Sequence, residues 1–120
     1  MSKGRETIEA LREWGLAFPG AHIKAPWPEH ADLAVNDKTF AYLSTGDTFQ
    51  MSAKLRYTSE AALELPYAAP AAYGLGKSGW VTFTPADDAI PDLAQLKDWI
   101  EESYRAQAPK KLVRELDARA

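Results

Sequence analysis

The residues that most invite a chemical reading lie between Gly74 and Gly79. Gly74-Leu75-Gly76-Lys77-Ser78-Gly79 spells G-x-G-x-x-G, and Gly76-Lys77-Ser78 spells the end of a phosphate-binding loop. Either motif would gather backbone amides around an anion. A dinucleotide fingerprint, however, needs a helix after it, so that the pyrophosphate meets the helix N-terminus. Here Trp80-Val81-Thr82-Phe83-Thr84 follows, aromatic, β-branched and alternating, which favours a strand. The phosphate-binding loop also wants a glycine five residues before Gly76, where Ala71 stands. The glycines therefore read as a hairpin tip that permits positive φ. Lys77 sits at its apex, either simply solvated or touching a phosphate backbone.

Other constellations are weaker. His22 and His30, with Glu29 and Asp32, offer N and O ligands around a proline loop, but their separation matches no zinc spacing, and both histidines read as surface or partly packed. Glu6, Glu9 and Glu13 line one side of a first helix, interrupted by Arg5 and Arg12, which argues against a metal-binding ridge. Asp87, Asp88 and Asp92 lead into the last long helix, where acids suit the dipole, and Asp98, Glu101 and Glu102 read as its solvated face. No G-x-S-x-G elbow and no grouping of base, nucleophile and oxyanion donor is visible. A non-enzymatic protein without cofactor or metal is expected.

The basic residues are the remaining candidates. Lys54 and Arg56 belong to the polar side of a strand, Lys77 to the hairpin tip, and Arg105, Lys110, Lys111 and Arg114 to the C-terminal end. Between Ser103 and Arg114 there are four basic residues and no acid. Folded back near the hairpin, that segment would make a local positive surface; alternatively, its lysines follow a helix end and merely complement the dipole. The net charge of −3 opposes strong nucleic-acid binding as a whole-molecule property, so the distribution decides. Trp80 either stacks on a base or packs against a helix.

The elements that must position these residues follow from periodicity. Ile8, Leu11, Trp14 and Gly15 or Leu16 fall at helical spacing, and Pro19-Gly20 stops the run. His22 to Glu29 reads as a proline loop with Trp27 tucked inward. "ADLAVN" and "KTFAYLS" flank Asn36-Asp37, a pair that tolerates a tight hairpin turn. In "TFQMSAKLR", Phe49, Met51, Ala53 and Leu55 alternate with Gln50, Ser52, Lys54 and Arg56, giving one buried and one polar face. "TSEAALEL" opens with Thr58 or Ser59 as a cap and makes a short helix. "AAYGL" and "GWVTFT" read as strands joined by the glycine loop. Pro91 to Gln107 is a helix with Leu93, Leu96, Ile100 and Tyr104 on one stripe, and Leu112, Val113 and Leu116 serve a terminal helix. The order α-β-β-β-α-β-β-α, with a C-terminal tail helix, predicts a two-layer α+β domain with helices on one face of an antiparallel sheet.

With 120 residues, 46% hydrophobic and 26% charged, the chain has the size and balance of one globular domain, with a core from about 5 to 107 and a basic tail from 108 to 120. The absence of cysteine removes disulfides and thiolate chemistry. No apolar run is long enough to cross a bilayer and the N-terminus has no signal-peptide character, so a cytoplasmic location is expected.

Several pieces recur together: "FPGA" after the first helix, the hairpin with "KTFAYLS", the strand ending in "AKL", "AYGLGKSGWVTF", and the "SY…APKKL" end of the last helix. In this order they resemble the MmcQ/YjbR family of small bacterial proteins, from about Leu11 to Leu112. The resemblance implies a CyaY-like fold, topologically akin to frataxin, and DNA binding through a double-wing arrangement of hairpins. It supplies no catalytic residues. The acidic balance and the aromatics Trp14, Trp27, Tyr57, Tyr67, Tyr73 and Trp80 fit an alternative, a module binding a protein or a small ligand in an apolar pocket beside the Trp27 loop.

Overall fold

A computed structural model describes residues 2–25 and 31–119. Helix α1 (Lys3–Gly15) starts where the Ser2 hydroxyl accepts the Arg5 N–H at 3.1 Å, satisfying one of the free amides of the first turn. Its inward stripe is Ile8 and Leu11, both buried. Strand β1 (Ala21–Lys24) follows, and β2 (Asp32–Val35) and β3 (Lys38–Leu43) form the expected hairpin. Asn36 and Asp37 turn it with φ of 50° and 65°, the pair of left-handed residues that a two-residue connection requires. Strand β4 (Met51–Lys54) precedes α2 (Ser59–Leu63), and β5 (Ala68–Pro70) and β6 (Trp80–Phe83) flank the glycine loop. Two further helices, α3 (Leu93–Gln107) and α4 (Lys110–Ala118), are separated at Pro109.

The strands form one antiparallel sheet in the order β1-β2-β3-β4-β6-β5. Phe49, Met51, Ala53 and Leu55 are all fully buried, as the alternation predicts. They face α3, whose inward residues are Leu96, Trp99, Ile100, Ser103 and Tyr104. Two ring stacks lock this layer: Phe83 on Trp99 at 4.2 Å and Phe18 on Tyr104 at 4.6 Å. Phe40 stands edge-on to both Phe18 and Tyr104. Tyr104 also donates its hydroxyl to the Pro19 carbonyl at 2.7 Å, so the last long helix is tied to the "FPG" turn after the first. Leu112 and Leu116 carry α4 onto the same face, with Leu112 against Gly20. The result is the two-layer α+β architecture expected, with every helix on one side. Among the described residues no helix is long and apolar enough to cross a membrane.

Three local departures have physical causes. The segment read as a loop begins with β1, an edge strand that among the described residues pairs only with β2 and ends at Lys24. Its His22 and Ile23 are exposed, so it carries no burial pattern to detect. The strand before the glycine loop lies at Ala68–Pro70 and not at "AAYGL", because Tyr73 and Gly74 both take left-handed φ, 59° and 78°, and end the pairing. Finally, Leu33 and Ala34 face Ala41 and Thr39, so Phe40 is an extra residue in β3. The bulge buries Phe40 and Ala41 together but withdraws β3 from β4 beyond Tyr42. Ser103 of α3 fills that gap, its hydroxyl accepting the Lys54 N–H at 2.8 Å. Trp27, Glu29 and His30 lie outside the described residues.

Candidate nucleic-acid interface

At the end of β4 the Leu55 N–H donates to the Gly79 carbonyl at 2.9 Å, stapling the glycine loop to the chain that continues into Arg56. Residues 56–58 then turn into α2. Glu102 of α3 holds this turn: one carboxylate oxygen accepts the N–H groups of Tyr57 and Thr58 at 2.9 and 3.2 Å, and the other accepts the Thr58 hydroxyl at 2.7 Å. Thr58 is thus at the N-cap position of α2 as expected, yet its hydroxyl serves Glu102 and makes no cap bond. Arg56 leaves the sheet altogether. Its guanidinium donates to the Ala106 carbonyl at 3.1 Å, near the negative end of α3. This corrects its assignment to the polar sheet face beside Lys54: the strand ends before it, freeing its direction.

Because Pro109 redirects the chain at the same place, Arg56, Arg105, Lys110 and Arg114 converge on one cleft of about 450 Å³, floored by Ala108 and Val113. Four of the seven basic candidates, separated by up to 58 positions in the chain, share this wall. Arg105 is not free within it. It meets Asp117 at 2.9 Å and Glu101 at 3.1 Å, and the Asp117 bond, foremost, raises its already high pKa. A second cleft of about 390 Å³ adjoins the first through Arg56 and Arg105 and is acid-rich, with Asp98, Glu101 and Glu102. The C-terminal segment therefore presents a positive cleft bordered by an acidic one, and its fold-back is onto the "FPG" turn and α3.

The other candidates are placed as follows. Lys77 is exposed on a short 3₁₀ turn, Leu75–Ser78, between Gly74 and Gly79, both left-handed. This is the hairpin tip expected; β6, not a helix, follows it. Lys111 is exposed on α4 but does not line the cleft. Lys54 pairs with Trp80 on the sheet face away from the helices. Trp80 is packed, though not against a helix as anticipated: it is buried on that outer face with its ring 5.2 Å from Tyr42. Register explains this, since Val81 and Phe83 occupy the inward positions of β6.

Arg12, read from the sequence only as an interruption of the acidic ridge, and Asp32, weighed there as a possible metal ligand beside His22 and His30, prove to be structural anchors. Arg12 donates to the carbonyls of Ala31 at 2.8 Å and Ser44 at 2.7 Å, and burial lowers its pKa. Asp32, almost fully buried, accepts the Leu43 N–H at 3.0 Å. On α1, Arg5 pairs with Glu9 and with Asp47, so the acidic side of that helix is partly neutralised. Among the described residues no cluster of three or more histidines and acids is arranged to hold a metal ion.

A comparison with curated proteins gave no match. Among solved structures, the chain is similar to a protein from Pseudomonas syringae, with 19% identity over 82% of this chain and 97% of that one, and a TM-score of 0.64. That likeness concerns the fold. The family model for YjbR matches residues 16–106, a span that runs from the end of α1 through the sheet, the glycine hairpin and nearly all of α3. The match covers most of the pieces that carry the sequence resemblance, stopping short of its APKKL end, and the chain belongs to the YjbR family.

Proposed function

We propose that this protein is a non-enzymatic cytoplasmic module that binds nucleic acid, DNA foremost, chiefly through phosphates. The observation that carries the reading is the convergence of Arg56, Arg105, Lys110 and Arg114, from three separate parts of the fold, on one cleft. Cations so placed suit a polyanion, because each phosphate contact releases condensed counterions. The glycine hairpin stands at the same end of the sheet, joined through Leu55 and Gly79, and offers Lys77 as an additional contact in the manner of a wing. The net charge of −3 makes the expected binding weak and strongly salt-dependent.

An anisotropy titration of a labelled duplex at low salt tests this. Binding should weaken with salt, and replacing Lys110 and Arg114 by glutamine should flatten the log–log slope by nearly one per lost contact. No binding at low salt would falsify it. A second reading, a module for a protein partner, is favoured by the mixed cleft where Asp98, Glu101 and Glu102 border Arg56 and Arg105. Retention of a protein but no nucleic acid in parallel pull-downs would favour it.

A further inference from the structure

Two aromatic side chains among the described residues are left largely or wholly to solvent, and both stand at the end of the sheet that carries the basic cleft. Tyr57 is 87% exposed and Tyr73 is 100% exposed, whereas Tyr104, Trp80 and Trp99 are buried. An isolated exposed aromatic needs no explanation by itself. These two are distinguished by how they are held and by what flanks them. Tyr57 follows Arg56 directly, and its backbone is fixed by the Glu102 carboxylate, which accepts both its own N–H and that of Thr58. Tyr57 lines the acid-rich cleft, on the side where it adjoins the basic one through Arg56 and Arg105. Tyr73 sits in the glycine hairpin with φ of 59°, a left-handed conformation uncommon for a bulky residue. Lys77 lies four residues on in the same loop. The Leu55–Gly79 bond ties the loop of Tyr73 to the turn of Tyr57.

We infer that Tyr57 and Tyr73 are stacking platforms for unpaired bases, and that the nucleic acid this surface prefers is single-stranded. The inference rests on the phosphate-binding reading above and adds the strand form. Aromatic faces beside a cationic groove are what an unpaired strand uses: the groove tracks the backbone while the rings receive bases regardless of sequence. A duplex keeps its bases stacked on each other and offers these rings nothing. A surface that read phosphates alone would favour the duplex, whose charge density is higher. Strand preference therefore separates the two contributions.

The test is an anisotropy titration of one mixed-sequence oligonucleotide, single-stranded and as its own duplex, at low salt. It uses the wild type, Tyr57→Ala/Tyr73→Ala, Tyr57→Phe/Tyr73→Phe and Lys110→Gln/Arg114→Gln. The expected result is tighter binding of the single strand. The alanine pair, losing two platforms, should lose roughly thirtyfold or more on the single strand and little on the duplex, and the phenylalanine pair should retain wild-type affinity. The basic pair should weaken both forms. If the duplex binds as well as the single strand, or the alanine pair binds the single strand like wild type, the stacking inference is overturned. The phosphate reading then survives as long as the basic pair still weakens binding. If neither form binds the wild type, both readings fall.

Discussion

The Arg105 guanidinium of α3 meets the Asp117 carboxylate of α4 at 2.9 Å, inside the same cleft wall that gathers Arg56, Lys110 and Arg114. A phosphate entering that cleft competes with Asp117 for Arg105. Both partners are partly exposed, so the pair contributes at most about 1 kcal/mol to folding. Asp117→Asn is expected to leave stability nearly unchanged and to strengthen nucleic-acid binding roughly two- to fivefold at low salt. Glu115→Gln removes an equal charge from the same helix without touching Arg105. Equal gains in the two variants, measured by anisotropy, would show that net charge alone is responsible.

The glycine hairpin gives a stability prediction. Gly79 has φ of 90°, and a Cβ there would lie 3.0 Å from the Leu55 carbonyl oxygen. Gly74 is also left-handed, at 78°, but a Cβ there meets nothing within 4 Å. Gly74→Ala should therefore cost about 1 kcal/mol, the conformational penalty alone. Gly79→Ala should cost more, on the order of 2–3 kcal/mol, because backbone must also move. Urea unfolding of the two variants decides it. Equal losses would mean that the loop yields freely at Leu55.

Ser103 is the residue that repairs the bulge in β3. Its hydroxyl accepts the Lys54 N–H at 2.8 Å and the side chain is fully buried. Ser103→Ala removes the acceptor and leaves that amide without a partner, at an expected loss of about 1–3 kcal/mol. Hydrogen exchange at the Lys54 amide should speed up more than at neighbouring strand amides. A loss below about 0.5 kcal/mol would show that β3 closes over the gap.

Much of this architecture is legible in the chain, and the parts that are not have separate physical causes. Alternation over Phe49, Met51, Ala53 and Leu55 reports burial directly, and Asn36-Asp37 reports its own turn. The edge strand at Ala21–Lys24 has no burial contrast to display. Leu93 continues the helical stripe in sequence but is 41% exposed, while Trp99, off that stripe, stacks on Phe83. Helical spacing alone does not register which positions of α3 the neighbouring elements cover. The cleft is hidden for a different reason. Arg56 belongs by alternation with Lys54, and only the end of β4 and the carbonyl of Ala106 turn it toward Lys110 and Arg114. Asp117 lies beyond the one-signed run from Ser103 to Arg114, so the acid that occupies Arg105 was outside the pattern.

The Tyr104 hydroxyl gives a pH prediction. It is buried, and burial raises its pKa above the ordinary tyrosine value of 10.0. The folded state thus holds this proton more tightly than the unfolded chain. Stability from this group is complete below pH about 10 and falls as pH rises through the higher folded-state value, because the unfolded chain alone gains by ionising. Tyr104→Phe removes both the bond to the Pro19 carbonyl and this titration. It should cost about 1 kcal/mol at neutral pH and show a shallower alkaline limb. Denaturant midpoints followed from pH 7 to 11 test both parts; parallel limbs would assign the alkaline loss to other groups.

Glu102 decides how firmly Tyr57 is presented. Its two oxygens accept three hydrogen bonds from Tyr57 and Thr58, all at 3.2 Å or less, and no other acceptor for those two N–H groups is seen among the described residues. Glutamine keeps one carbonyl oxygen and replaces the other with a donor, so Glu102→Gln retains the side chain's reach but cannot accept from both the amides and the hydroxyl as before. The turn at 56–58 should loosen at an expected cost of about 1 kcal/mol, with α3 intact. Amide resonances of Tyr57 and Thr58 should shift and broaden while those of the β4 strand stay in place. If the ring is a platform only because its backbone is held, single-strand affinity should fall in step with this loosening, and Thr58→Val, which removes only the hydroxyl bond, should fall between wild type and Glu102→Gln. Unchanged resonances at Tyr57 in Glu102→Gln would mean that the turn is fixed by its own backbone and that Glu102 contributes nothing to it.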